Sequence, residues 1–299
     1  MVADSKTMLE SNAATFELSR YFNSPMLHQL KHQALGTKAG TLPKINVIGS
    51  PVTALPFDDQ MKVILHWAKS RLSKTVCVAN THMLVEAYRR PKFRAVLRRS
   101  DLVTPDGMPL VWMMKVMGAL RQNRVAGMDI FLSLCEAAPR QETSIFLLGS
   151  QSAVLRQMQI KLEDEFPDLQ IAGMEPLPFR PLTTLEDDEL IQRINASGAG
   201  LVFLALGCPK QEAWIAQHKG RIRAVMLGVG GVFPVYAGIQ KRAPRWIRES
   251  GLEWLYRLVQ EPTRLWKRYG TTIPLFVYLA LKQALQHKVA NGYLKRSQV

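Results

Sequence analysis

Four short apolar runs, each closed by glycine or a small residue, constrain this chain more than any other feature. They are SIFLLGS (144–150), LQIAGM (169–174), GLVFLALG (200–207) and AVMLGVGG (224–231). A run that is apolar without alternation is how a strand buried on both faces of a sheet reads. Upstream, INVIG (45–49), TVCVAN (75–80) and DLVTPDG (101–107) read as further strands. DQMKVILHWAKSRL (59–72), THMLVEAYRR, SAVLRQMQIKLEDEF and DDELIQRINAS between them read as helices. The alternation predicts an α/β fold: a doubly wound, mostly parallel, Rossmann-like sheet with right-handed crossovers and helices on both faces.

At 299 residues and 47% hydrophobic, the chain can bury one large α/β core with appendages. Residues 1–43 lack sustained periodicity and read as an N-terminal extension with a short helix around 16–22. Residues 44–240 carry the sheet. Residues 241–299 form a helical, basic C-terminal appendage. Neither an internal repeat nor a low-complexity tract interrupts this plan.

Cys77, Cys135 and Cys208 are sparse, odd in number and far apart, which points to a reducing compartment. The N-terminus lacks the apolar core of a signal peptide. The longest apolar run, IPLFVYLAL (273–281), is half the roughly 20 residues a spanning helix needs. The expected location is cytoplasmic, peripherally attached to the inner face of the plasma membrane.

In open parallel sheets ligands bind beyond the carboxyl ends of the strands. Here those ends carry AN (79–80), PDG (105–107), LLGS (147–150), ALGCPKQE (205–212) and GVGG (228–231). Asp106 sits in ordinary turn chemistry, yet a carboxylate at a strand end can also serve as a general base, and one turn can do both. Gly207 and Pro209 close a strand before a helix that starts near Lys210. Its free N–H groups suit an anion, while Lys210 and Gln211 can hydrogen-bond phosphate or sugar hydroxyls; a plain strand-to-helix turn reads the same way. Gly228 and Gly230 bring backbone close to something, but a GxGxxG spacing and a ribose-binding acid are missing, so a nicotinamide site is disfavoured. Gly149 in LLGS fits tight strand–helix packing. Arg124 in RVAGMD is either a bidentate diphosphate ligand or a solvated cation, and Asp129 after it reads as a helix-start acid. EDE (163–165) and EDDE (186–189) read as solvated faces. His66, His82 and His218 show no metal spacing. No metal and no cofactor are expected.

The net charge is +15. From Lys241 onward there are twelve Lys/Arg against three Asp/Glu, so +9 of it lies in the last fifth of the chain. Leu255, Leu258, Pro262, Leu265 and Tyr269 follow a helical period, with Arg257, Arg264 and Arg268 on another face and Pro262 starting a new helix. This is a basic surface helix or an interfacial one whose arginines hold phosphates of an anionic inner leaflet. A nucleic-acid-binding protein is the rival from another class. It is disfavoured because the charge is local and no reader motif appears, so no nucleic acid is expected. A non-catalytic scaffold is a further alternative.

Together, ANTHMLVEA, DLVTPDGMPLVW, RVAGMD, IFLLGS, LVFLALGCPKQEAWI, GVGG, RAPRWI and GLEWLYRLVQEPTRLWKRY resemble the WecG/TagA/CpsF-type bacterial glycosyltransferases. That family includes the N-acetylmannosaminyltransferases of wall teichoic acid and enterobacterial common antigen synthesis, and capsular and xanthan-type exopolysaccharide glucosyltransferases. The resemblance spans about 45–270. It implies an inverting, metal-independent hexosyltransferase with a UDP-sugar donor and a polyprenyl-diphosphate-linked sugar acceptor; a homo-oligomer is compatible with it. It implies Asp106 as base. Asn80, Arg124 and Gln211 would line the donor, with Gly149, Gly207, Pro209, Lys210, Glu212, Gly228 and Gly230 around it. Arg257, Arg264, Lys267 and Arg268 would hold phosphates.

Two positions depart from the family pattern. Val78 stands where many relatives have Thr, and Pro234 where they often have Asp. Both changes touch the donor site. The ANTHM and FPVYAG forms look closer to the exopolysaccharide branch, which tilts the expected donor toward glucose or a related hexose rather than N-acetylmannosamine.

Overall fold

A computed structural model of the chain describes residues 42–178 and 180–296, with side chains up to residue 290. Nearly all of the expected 1–43 extension, including the helix expected at 16–22, lies outside the described residues. The compact unit that holds the sheet begins at Lys44.

A two-stranded antiparallel hairpin comes first, β1 (Lys44–Val47) with β2 (Ser50–Thr53). INVIG is therefore a strand, but not the first strand of the parallel sheet, and its partner SPVT was not anticipated. Thr53 Oγ1 accepts the Val103 N–H at 3.0 Å and so ties the hairpin to the sheet edge.

The main sheet contains β3 (Lys74–Ala79), β4 (Leu102–Pro105), β5 (Ile145–Gly149), β6 (Ile171–Glu175), β7 (Leu201–Ala205) and β8 (Val225–Gly228). Its order is β4-β3-β8-β7-β5-β6, and every neighbouring pair is parallel. All residues of β4, β5 and β8 are buried, as are nearly all of β3 and β7. LQIAGM is different. It supplies β6, an edge strand half-exposed along its whole length, because one side has no further strand to cover it.

Helices cover both faces. On one lie α1 (Phe57–Lys69), α5 (Gly127–Ala137), α6 (Ser152–Glu165) and the short α9 (Val232–Tyr236). Phe131 of α5 meets Phe203 of β7 edge-on, ring centroids 4.9 Å apart. On the other lie α2 (Thr81–Arg89), α3 (Pro91–Arg99), α7 (Thr184–Ala196) and α8 (Lys210–His218). The ends follow local chemistry. Asn80 caps α2, its Oδ1 accepting the Met83 N–H at 3.1 Å. Thr183 and Glu186 form a reciprocal capping box at α7. Pro209 sits one position before α8, after a cis peptide bond from Cys208, rather than at the first helical position.

After β4 comes α4 (Met108–Val116). The C-terminal part is α10 (Arg245–Glu249), α11 (Glu253–Gln260) and α12 (Pro262–Arg296), with Pro262 starting α12 as the sequence implied. This appendage is docked on the fold. Phe276 and Leu279 of α12 are buried in the cluster formed by Met83 and Leu84 of α2. Gln283 accepts the Ile48 N–H and donates to the Asn46 carbonyl, both at 2.7 Å.

Candidate active site

Four adjacent strand ends, those of β4, β3, β8 and β7, open onto one cavity of about 370 Å³, and the appendage closes over it. The Asp106 N–H donates to the Ala79 carbonyl at 2.8 Å, extending the parallel pairing one residue past β4. That bond fixes Asp106 beside Asn80. With Asn80 Oδ1 spent on the helix cap, its amide N–H₂ is the group left for the cavity wall.

Arg124 sets the electrostatics of the floor. Its Nε bonds the Asp106 carbonyl, and its Nη2 reaches Asp106 Oδ1 at 3.1 Å and Glu253 Oε2 at 2.6 Å. Burial pushes the Asp106 carboxyl up, Arg124 opposes this, Glu253 pushes the same way as burial and Arg257 opposes again. The balance lies above the ordinary carboxylate range.

Gln211 braces two loops. Its Oε1 accepts the Gly207 N–H at 3.0 Å and its Nε2 donates to Glu212 Oε1 at 2.8 Å. A Cβ on Gly228 or Gly230 would lie 3.0 or 3.1 Å from the Gln211 amide, and Gly230 has a φ of 50°. The glycines thus let the loop after β8 lie on this side chain. Glu212, fully enclosed behind it, has an Oε2 without a partner, and burial pushes its carboxyl up.

The roof is cationic. Arg248, Arg257, Arg264 and Arg268 all line the cavity. Arg264 pairs with Glu261, whereas Arg257 and Arg268 have no carboxylate partner among the described residues. The Nε atoms of Arg248 and Arg268 are buried without a hydrogen bond. Burial lowers the pKa of both guanidinium groups. Partly buried guanidinium groups lining a cavity are suited to an anionic ligand.

The structure brings Asn80, Asp106, Arg124, Gly207, Gln211, Gly228, Gly230, Arg257, Arg264 and Arg268 onto this one cavity. Five expected residues lie elsewhere. Gly149 is inside β5, where a Cβ would meet the Ala205 carbonyl at 2.9 Å, and its neighbour Ser150 reaches the cavity instead. Pro209 and Glu212 stand behind the wall. Lys210 faces an adjoining cleft of about 700 Å³ with Trp214 and Pro234. Lys267 turns outward over the Trp266 ring, 5.6 Å from its centroid. Val78 and Pro234, the two departures, both fall on the cavity wall.

Sequence reading missed Glu253 and Arg248. Glu253 had a signal, being one of three acids in a strongly basic terminus. Among the described residues no three His, Cys, Asp or Glu side chains gather as a metal site. No described helix is long and apolar enough to cross a membrane.

Comparison with known proteins identifies the family. The profile described as "Glycosyl transferase WecG/TagA/CpsF family" matches residues 45–290. An N-acetylglucosaminyldiphosphoundecaprenol N-acetyl-beta-D-mannosaminyltransferase of Bacillus spizizenii is 35% identical over 208 residues, covering 69% of this chain and 78% of the relative. A protein of the same description from Bacillus subtilis is 31% identical over 250 residues, covering 83% and 93%.

Proposed function

Because the chain belongs to the WecG/TagA/CpsF glycosyltransferase family, we propose that it moves a hexose from a UDP-sugar to a sugar carried on polyprenyl diphosphate. We further propose that transfer inverts the anomeric carbon, uses no metal and takes place at the inner face of the plasma membrane. The observation that carries this reading is the juxtaposition of the Asp106–Arg124 pair with Arg257 and Arg268, which have no carboxylate partner among the described residues.

In such a transfer the acceptor oxygen bonds to the anomeric carbon as the bond to UDP breaks, and the acceptor proton passes to the Asp106 carboxylate. A general base contributes about 10²–10⁴-fold, and a raised carboxyl is better matched to a proton at neutral pH. The departing diphosphate gains charge in the transition state. Arginines already aimed at it stabilise that charge without reorganisation. Attachment to the membrane is supported by α12, whose Trp266, Tyr278, Leu281 and Leu285 remain exposed beside Lys282.

The relatives' names specify N-acetylmannosamine as the transferred sugar. Val78 and Pro234 change the wall of the same cavity here, so the donor is settled by experiment. The test is transfer from a panel of UDP-sugars to synthetic polyprenyl-diphosphate N-acetylglucosamine with EDTA present, the product anomer read by NMR. A single productive donor with an inverted product is the expected result. Dependence on added divalent metal, or retention, would overturn the proposed mechanism.

A further inference from the structure

We propose that the acceptor sugar is seated in a second, smaller cavity on the other side of Asp106, and that its polyprenyl chain leaves along an apolar strip at that cavity's rim. The inference rests on the glycosyltransferase reading above.

The second cavity, about 90 Å³, adjoins the first and shares eight lining residues with it, Asp106 and Arg124 among them. A direct displacement needs the attacking oxygen and the departing diphosphate on opposite sides of the anomeric carbon, and the base on the acceptor's side. A carboxylate standing in the wall between two cavities meets both demands when the donor fills the larger one. The smaller one admits the edge of a ring that carries the reacting hydroxyl, and the rest of the acceptor lies over its rim.

Beside the smaller cavity's arginines the lining carries groups suited to a sugar. His82 is held neutral, pushed down to about 4 by burial and then by Arg268, Arg89 and Arg90. Its Nδ1 lies 3.3 Å from Thr272 Oγ1, which fixes the ring against α12. Trp254 and Tyr269 meet edge-on at 5.9 Å and supply an aromatic wall. A neutral polar group among aromatic side chains suits a sugar hydroxyl.

The rim says where the lipid goes. Gly251 lies so close to Trp112 that a Cβ there would stand 2.7 Å from the indole. Trp112 is 48% exposed; Leu252, which follows Gly251, and Leu255, one turn further on with its N–H on the Leu252 carbonyl, are each 42% exposed. Beside this strip lies a pocket in which Lys115, Arg124, Arg245 and Arg248 outnumber Asp129 and Glu249; Glu249 pairs with Arg245 at 2.7 Å, so Lys115 and Arg124 are the cations nearest to hand for the acceptor's diphosphate. Charge beside an apolar surface provides for the two groups that follow the sugar in a polyprenyl-diphosphate acceptor.

The test compares a full-length polyprenyl acceptor with a short-chain, water-soluble diphosphate sugar. Trp112→Ser and Leu255→Ser are expected to raise the ratio of long- to short-chain KM at least ten-fold. Ile160→Ser, which alters an exposed apolar residue on α6, is expected to leave it unchanged. An unchanged ratio in both rim variants, or an equal loss on both acceptors, overturns the lipid path. Binding to acceptor-free vesicles is expected to match wild type in Trp112→Ser; loss there assigns the strip to the bilayer and overturns the path too.

His82→Ala is expected to raise acceptor KM about ten-fold on both acceptors at constant UDP affinity, with His82→Gln recovering part of it. An unaltered acceptor KM overturns the seat. Acceptor binding is also titrated without donor. A chain silent in transfer defeats the parent reading alone, and the titration still decides the seat.

Discussion

Arg124 and Glu253 stand 2.6 Å apart, and this ion pair joins the loop before α5 to the helix α11 of the appendage. The same guanidinium holds the Asp106 carboxylate. The environment of the proposed base is therefore built from two distant stretches of chain, and it changes when either one moves.

The first consequence is a pH effect with a definite sign. Asp106 acts as a base only when ionised, so activity is present above its pKa and is lost as pH falls through it. Glu253 is one of the groups holding that pKa up. In Glu253→Gln the acid limb of the kcat/KM profile moves to lower pH. In Arg124→Met, which removes the main opposing charge, it moves to higher pH. The reverse order in steady-state profiles would dismiss Asp106 as the titrating group.

Asp106→Asn is expected to lower transfer by about 10²–10⁴-fold, the usual share of a general base. UDP affinity by calorimetry should stay within a few-fold, since the floor hydrogen bonds survive. Full turnover by this variant would remove the base from the mechanism.

Arg268 sets stability against function. Its cation is half-buried, its Nε has no partner and burial disfavours its charge. Arg268→Met is expected to weaken UDP binding about ten- to a hundred-fold, the ~1.5–3 kcal/mol of a charge-assisted hydrogen bond. The same substitution should stabilise the fold by about 0.5–2 kcal/mol, as relieved functional strain commonly does. A lowered Tm together with unchanged UDP affinity would give Arg268 a purely structural role.

Gly149→Ala tests packing rather than chemistry. The residue has a φ of 93°, and a Cβ would press on the Ala205 carbonyl at 2.9 Å. A loss of about 1–3 kcal/mol is expected from the backbone strain alone. Thermal unfolding should show it, while the KM values of the folded fraction stay near wild type.

Much of this was legible in the chain. The glycine-closed runs gave the parallel strands because burial on both faces leaves no alternation to hide them. Asp106, Arg124 and the glycines after β7 and β8 could be placed because strand ends are where such a sheet holds its ligands. INVIG misled because a hairpin strand and a first parallel strand look alike over five residues, and pairing is not local information. LQIAGM misled because its apolar content does not report that the sheet stops there. Lys267 and Arg268 are adjacent in sequence, yet neighbours on a helix point about 100° apart, and of the two only Arg268 lines the cavity. Glu253 escaped because its partner, Arg124, lies 129 positions earlier.

The cavity's floor is written between residues 78 and 240 and its roof between 241 and 269. Chains emerge from the ribosome at about 5–20 residues per second and fold in that order. Every strand of the sheet therefore leaves the ribosome before the arginines that cover the cavity. The nascent enzyme thus has an open trough before the segment that covers it has been made.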